Sequence, residues 1–241
     1  MRRIRYSPSL LNAPSRLIPA KLVERTSRFT VDVRVRNQLV TAYLPNPGAL
    51  RTVLAPGRKL LLVPKAEGLP YAVYAAKLPR FWVTLWAAQA SNLFAAALQR
   101  GIFKELCGWR IEAREVRVPQ AGRLDFVLRR KQQRMWVEVK SCTHVEADGT
   151  GKFPDRPSER ARRHLRFLIE RVHQGERALL VFVVQRPDAE RMTGFREVDP
   201  KFADLLNYAL DEGVAALAFS TRFRLRPRGI FFEKRVPVVR G

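Results

Sequence analysis

Positions 29–36, FTVDVRVR, alternate strictly between apolar and polar side chains. Phe29, Val31, Val33 and Val35 fall on one face and Thr30, Asp32, Arg34 and Arg36 on the other, the period of a half-buried strand. Asn37-Gln38 offers a turn, and LVTAYL at 39–44 reads as the partner strand. Pro45-Asn46-Pro47-Gly48 punctuates the chain, Ala49–Leu54 fits one short helical turn, and Pro56-Gly57 breaks it again. KLLLV at 59–63 and YAVYAAK at 71–77 complete a set of short strands with no convincing long helix between them. That pattern predicts a small barrel of the oligonucleotide-binding (OB) type over residues 1–80.

From about residue 81 the period changes. Ala90, Leu93, Phe94, Ala97 and Leu98 recur at helical spacing, with Gly101 as a stop. IEAREVRV (111–118), RLDFVLRR (123–130) and RMWVEVK (134–140) read as three sequential strands. An amphipathic helix follows at 158–173, with Ala161, Leu165, Leu168, Ile169 and Val172 inward and Ser158 as its N-cap. ALLVFVVQ (178–185) is nearly continuous in apolar residues, as a central strand buried on both faces must be. A helix near 200–212 and a strand at 214–220 follow. Residues 81–241 therefore read as an α/β domain with a mixed sheet.

Composition narrows the function classes. At 46% hydrophobic and 28% charged residues, the 241-residue chain has ordinary globular composition. Two cysteines, Cys107 and Cys142, make no disulfide scaffold, and Cys142-Thr143-His144 lacks the further ligands of a zinc site. No apolar run approaches the roughly 20 residues needed to span a bilayer, and the start of the chain does not read as a signal peptide, so the expected compartment is cytoplasmic. No GxGxxG, GxxxxGK[ST] or GxSxG motif is present.

Charge points to a partner. Forty-five Lys and Arg against 22 Asp and Glu give a net charge of +23. Residues 1–80 carry 15 basic and 3 acidic side chains, so the acids available for chemistry lie downstream. Such an excess attracts a polyanion, and nucleic acid is the usual one. In the barrel, Arg25, Arg28, Arg34, Arg36, Arg51 and Arg58 are the candidate backbone contacts and Tyr43 the candidate stacking platform. Asn46 and Gly48 read as turn residues.

The candidate chemistry is Asp125 followed, after twelve intervening residues, by Glu138-Val139-Lys140. Glu138 and Lys140 are two apart on a strand and share a face; Asp125 lies on the preceding strand of the hairpin. Two carboxylates and an ammonium suit a divalent cation, Mg2+ or Mn2+, with a phosphodiester. The same residues also fit a plain cross-strand ion pair.

This D…ExK arrangement resembles the PD-(D/E)xK nuclease superfamily. Further blocks carry a closer resemblance: PNPGAL (45–50), REVRV…GRLDFVL (114–128), WVEVKSCT (136–143), FPDRPSERARRHLRFL (153–168) and LVFVVQR (180–186). In order, from about residue 16 to residue 230, the chain is similar to the sugar fermentation stimulation protein A family. That resemblance implies an OB-type barrel joined to a nuclease-like α/β domain, non-specific DNA binding, and a link to regulation of maltose-type sugar metabolism. Its pattern carries a glutamate in the first helix of the second domain. Here Ala95, Ala96 and Ala97 stand at those positions, and Asn92 and Gln99 bring no carboxylate. Glu115, on the adjacent strand, is the candidate to complete the metal set, with a solvated strand face as its other reading.

Three functional readings remain open from the sequence: a DNA-binding protein with a nuclease-like metal site, an active Mg2+-dependent nuclease, and an RNA-binding module. Arg123, two before Asp125, suits an ion pair or a phosphate. Arg160 and Arg163, with Arg162 and Arg166, form either a phosphate-facing patch or a solvated helix face. By the resemblance, the block holding Asp155, Ser158, Glu159 and His164 borders the cleft. His164 reads as a buried, satisfied histidine before a catalytic base, and Gln185 as a strand end that points into the cleft or caps the strand.

Overall fold

The computed structural model describes residues 8–119 and 121–241; residues 1–7, the start of the range expected to form the barrel, lie outside the described residues. Five strands build that barrel: β1 (Ile18–Glu24), β2 (Thr30–Val35), β3 (Gln38–Tyr43), β4 (Lys59–Pro64) and β5 (Tyr71–Lys77). They run in the order β3-β2-β1-β4-β5, and β5 closes parallel onto β3 at Tyr43 and Ala72. This is an OB barrel. Val31, Val33, Ala42, Leu60, Leu62 and Val73 fill it, as the alternation requires.

Three local expectations change. The β2–β3 turn is Arg36-Asn37, with Arg36 at φ 54° and Val35 paired to Gln38. Phe29 lies outside the strand and 41% exposed, stacked on Tyr43. β1 was not apparent from IPAKLVE, because only Ala20 and Leu22 face inward and Pro19 breaks the pattern.

The second domain is a three-layer sandwich. Its sheet runs β13 (Ala215–Leu225), β11 (Arg177–Val184), β9 (Gln133–Cys142), β8 (Gly122–Arg130), β7 (Arg110–Val118). β9, β11 and β13 are parallel; β8 and β7 are antiparallel additions. α1 (Gln89–Gln99) packs on one face against Phe126, Val137, Val139, Leu179, Val181 and Val183. α2 (Glu159–His173) and α3 (Pro200–Asp211) pack on the other against Leu180, Phe182 and Val184. Alternate β11 residues thus serve both cores, which is why that segment is apolar without a period.

Ser158 caps α2 by accepting the Ala161 N–H at 3.2 Å. The Asp199 carboxylate caps α3, takes the Ser158 N–H at 2.8 Å and holds Arg162 at 2.5 Å, so one buried acid pins the starts of both helices.

Besides β1, four strands are additional to the sequence reading. β10 (Thr150–Phe153) and β12 (Arg191–Gly194) form a two-stranded parallel sheet, and each is too short to show a period. β14 (Arg228–Val236) covers the free edge of β13 and pairs with the N-terminal segment at Leu11 and Ile230. β6 (Trp82–Thr84) pairs with β5 and touches β13, joining barrel and sandwich into one continuous sheet. Among the described residues, no helix is long and apolar enough to cross a membrane.

Candidate metal and nucleic-acid site

The site forms where two strands part. The β8–β9 ladder runs from Arg130 and Gln133 to Phe126 and Val137, and there it ends. One residue further, Asp125 uses its side chain in place of the backbone: Oδ2 accepts the Val139 N–H at 2.8 Å. Its Oδ1 accepts the Ser91 hydroxyl of α1 at 2.7 Å. Three elements therefore aim one carboxylate at the mouth of the opening.

Glu138 and Lys140 share a face of β9, as their spacing predicts, and that face meets α2. Lys140 Nζ donates to Glu138 Oε1 at 2.6 Å, and His164 Nδ1 lies 2.5 Å from the same oxygen. Arg160 Nε donates to His164 Nε2 at 3.5 Å. With the imidazole proton on Nδ1, His164 donates to Glu138 and accepts from Arg160, so the relay runs from Arg160 through His164 to Glu138. Glu138, Lys140 and His164 are all buried. The buried Oε2 of Glu138 has no hydrogen-bond partner.

The electrostatics separate the two acids. Burial, and then the Glu138 charge, push Asp125 up to about 6 against the pull of Ser91, Val139 and Lys140. Burial also works to raise Glu138. The Lys140 ammonium and then His164 overcome it and hold that carboxyl below the usual carboxylate range.

Around these groups lies a cleft of about 510 Å³. Ser91 and Asn92 of α1, with Ala87 and Ala88 just before it, form one wall; Phe153, Asp155 and Arg160 form another. The helix residues that line the cleft are thus Ser91 and Asn92, whereas Ala95 and Ala97 are packed in the core.

Asn46, Pro47 and Gly48 of the barrel close the top. Asn46 Oδ1 accepts the Gly48 N–H at 2.9 Å, and Asp155 Oδ2 accepts the Leu50 N–H at 3.1 Å. A Cβ on Gly48 would lie 2.5 and 2.7 Å from the Asp155 carboxylate oxygens, so the PNPG and FPD loops meet where only glycine fits.

Several candidates take other places. Glu115 lines the cleft, but its carboxylate is ion-paired to Arg123 at 2.9 Å and more than half exposed. The expected third carboxylate is thereby held at the rim, and among the described residues no group of three Asp, Glu, His or Cys gathers to hold an ion. Gln185 is turned to the domain junction: its amide donates to Ser141 Oγ at 2.7 Å, and its carbonyl accepts the Thr84 hydroxyl. Arg25 gives its donors to the carbonyls of Ser27, Arg28, Gly48 and Ala49, clamping the cleft loop. Arg58 bonds the Lys77 carbonyl at 3.4 Å.

Arg28, Arg34, Arg36 and Arg51 are exposed. Arg28 lies over Phe29, and Lys65 over Tyr43, which makes a small aromatic platform ringed by charge next to the Arg25 clamp. The platform needs Phe29 and Lys65, which the sequence placed elsewhere or left unremarked. Ser91 also went unseen, because a lone helix serine carries no signal of the strand it will face.

The chemistry of these two acids suits a hard cation. Two carboxylates face one opening, one with an orphaned buried oxygen and the other raised in pKa by burial and then by its neighbour's charge, and a divalent ion would relieve both conditions. Asp125 and Glu138 are the side chains that would hold it.

Comparison with known proteins agrees with this architecture. A model described as the SfsA N-terminal OB domain matches residues 23–85, and one described as the sugar fermentation stimulation protein RE domain, a restriction-endonuclease-like fold, matches residues 88–226. A sugar fermentation stimulation protein homolog from Geobacter metallireducens is 35% identical over 95% of this chain and all of its own. Another, from Chromohalobacter salexigens, is 38% identical over 84% of this chain and 83% of its own. The structure of Pyrococcus furiosus SfsA in complex with Ca2+ superposes with a TM-score of 0.88 at 29% identity, covering 97% of this chain and 100% of that one.

Proposed function

The chain belongs to the sugar fermentation stimulation protein family, and from its cleft we propose that it binds DNA with a divalent cation held between Asp125 and Glu138. The observation that carries this is the buried, unpartnered Oε2 of Glu138 in the same cleft as Asp125. A buried acceptor left without a donor costs stability, about 1–3 kcal/mol, and an ion removes that cost. The Ca2+ complex of the Pyrococcus furiosus relative supports an oxygen-ligated ion of this class. Mg2+ or Mn2+ bound there would neutralise phosphate charge, polarise a phosphoryl oxygen and acidify a water.

The chain's own groups prepare the cleft for a phosphodiester. Ser91 and the Val139 N–H fix the orientation of Asp125. Lys140 and His164 keep Glu138 ionised, and its free oxygen stays turned away from both. The exposed arginines of the barrel would hold backbone phosphates, and Phe29 with Tyr43 would stack a base of any identity.

Fluorescence anisotropy of labelled DNA against salt tests this. The expected log–log slope is several units, as for a protein that displaces counterions. A flat profile refutes it, and structured RNA that outcompetes DNA would reassign the partner.

A second reading, phosphodiester cleavage, is favoured by the Lys140–Glu138–His164 arrangement. Lys140 would steady the attacking hydroxide and His164 would adjust the basicity of Glu138. Plasmid left intact with both Mg2+ and Mn2+ refutes it. A role in regulating sugar use is further proposed, on the family's name, as a consequence of DNA binding.

A further inference from the structure

Beside the carboxylate cleft lies a second depression of about 720 Å³, at the β7–β8 turn and the start of α2. It is lined by Arg117, Arg123, Arg160 and Arg163, with Val118, Pro119, Ala121 and Gly122 as its apolar floor. Arg160 lines both depressions, so the two are adjoining parts of one groove.

The arginines of α2 are sorted by face. Arg162 pairs with Glu159 and Asp199, Arg166 with Glu159, and Arg171 with Glu176. Arg160 and Arg163, one turn apart on the groove side, pair with no acid, and neither does Arg117 among the described residues. Glu115 offsets Arg123 alone. A solvated helix face would spread its ion pairs evenly; here the uncompensated guanidinium groups converge on one depression.

We infer that this depression is a second phosphate subsite, taking the phosphate that flanks the one at Asp125 and Glu138. It rests on the proposed nucleic-acid reading and deepens it: Arg160 contacts the strand between the two positions, and the path leaves the cleft toward Arg117 and Arg163. The guanidinium fork suits either an internal phosphodiester or a strand-terminal phosphate.

The test compares the full-length chain with an Arg117→Ala/Arg163→Ala variant. The control, Arg110→Ala/Arg177→Ala, removes equal charge at the opposite end of the sheet. Probes are twelve-nucleotide single strands and duplexes, each with a 5′-phosphate or a 5′-hydroxyl, titrated over salt; Mn2+ uptake is measured for every protein. The groove variant should lose about 0.9 units of salt slope on duplexes and about 0.7 on single strands, the value for one phosphate contact, while the control keeps its slope and all keep their Mn2+ affinity. A loss confined to 5′-phosphorylated probes assigns the subsite to strand ends; an equal loss on all probes assigns it to internal phosphates. Equal slopes for groove variant and control overturn the subsite and leave DNA binding standing. A wild-type chain that binds no probe overturns DNA binding and the subsite with it.

Discussion

The carboxylate of Asp125 replaces a main-chain partner for Val139, accepting its N–H at 2.8 Å one residue beyond the last β8–β9 pair. The hairpin therefore opens without orphaning that amide, and the acid that fills the gap is left facing Glu138. The geometry of the cleft and the continuity of the sheet are consequences of one side chain.

Metal uptake should depend on pH through Asp125. With that group near 6, a divalent ion competes with a proton below this value, and affinity should fall about tenfold per pH unit. Mn2+ titrations at pH 5, 6, 7 and 8 check this. Affinity that is level across the series contradicts the proposed ligand.

The same groups act on stability with opposite signs. Asp125 is raised from 3.8 to about 6, so its contribution is full below 3.8 and lost as pH rises through 6, a cost of about 3 kcal/mol in the metal-free protein. Glu138 is lowered, so its contribution is present above its ordinary value of 4.5 and lost as pH falls through the folded one. Mn2+ should accordingly raise the melting temperature more at pH 8 than at pH 5. Equal shifts at both would count against the linkage.

Ser91→Ala removes the hydroxyl that favours the ionised form of Asp125. The carboxyl resonance of Asp125, followed by carbon-13 NMR, should titrate above the wild-type midpoint, with a stability change of about 1 kcal/mol. A midpoint that does not move would show that the bond has no hold on the acid.

Lys140→Met strands Glu138 in a buried site without its chief counter-charge. The expected cost is about 3–5 kcal/mol by urea unfolding at pH 7, less at pH 4, and much of it should return in Lys140→Met/Glu138→Gln. A single variant as stable as wild type would mean that the pair does not control the charge on Glu138.

Gly48→Ala drives a methyl group into the Asp155 carboxylate and displaces the bond to the Leu50 N–H. A loss of about 1–3 kcal/mol is expected, smaller in an Asp155→Ala background because the two residues meet. Additive losses would place the strain elsewhere.

What the sequence disclosed follows from which interactions are periodic. Val31 and Val33, the both-faces run of β11 and the α2 stripe each obey a burial period, so barrel and sandwich were legible. Glu138 and Lys140 were legible because strand spacing puts them on one face.

What escaped depends on contacts between distant segments. Ser91 reaches Asp125 from another element, the partner of His164, itself read as buried and satisfied, is set only once α2 packs on β9, and Arg25 looks like any surface arginine until the 45–50 loop folds beneath it. Of the two readings of Glu115, the structure shows a local partner, Arg123, holding it at the rim of the cleft.

The most direct test of the central claim is calorimetric titration of Mn2+ into the wild-type chain, Asp125→Ala and Glu138→Ala, with labelled DNA added to each afterwards. One site in the wild type, lost in both variants and strengthened by DNA, is the predicted result. Absence of uptake by the wild type, or uptake that survives both substitutions, would contradict a metal site between Asp125 and Glu138.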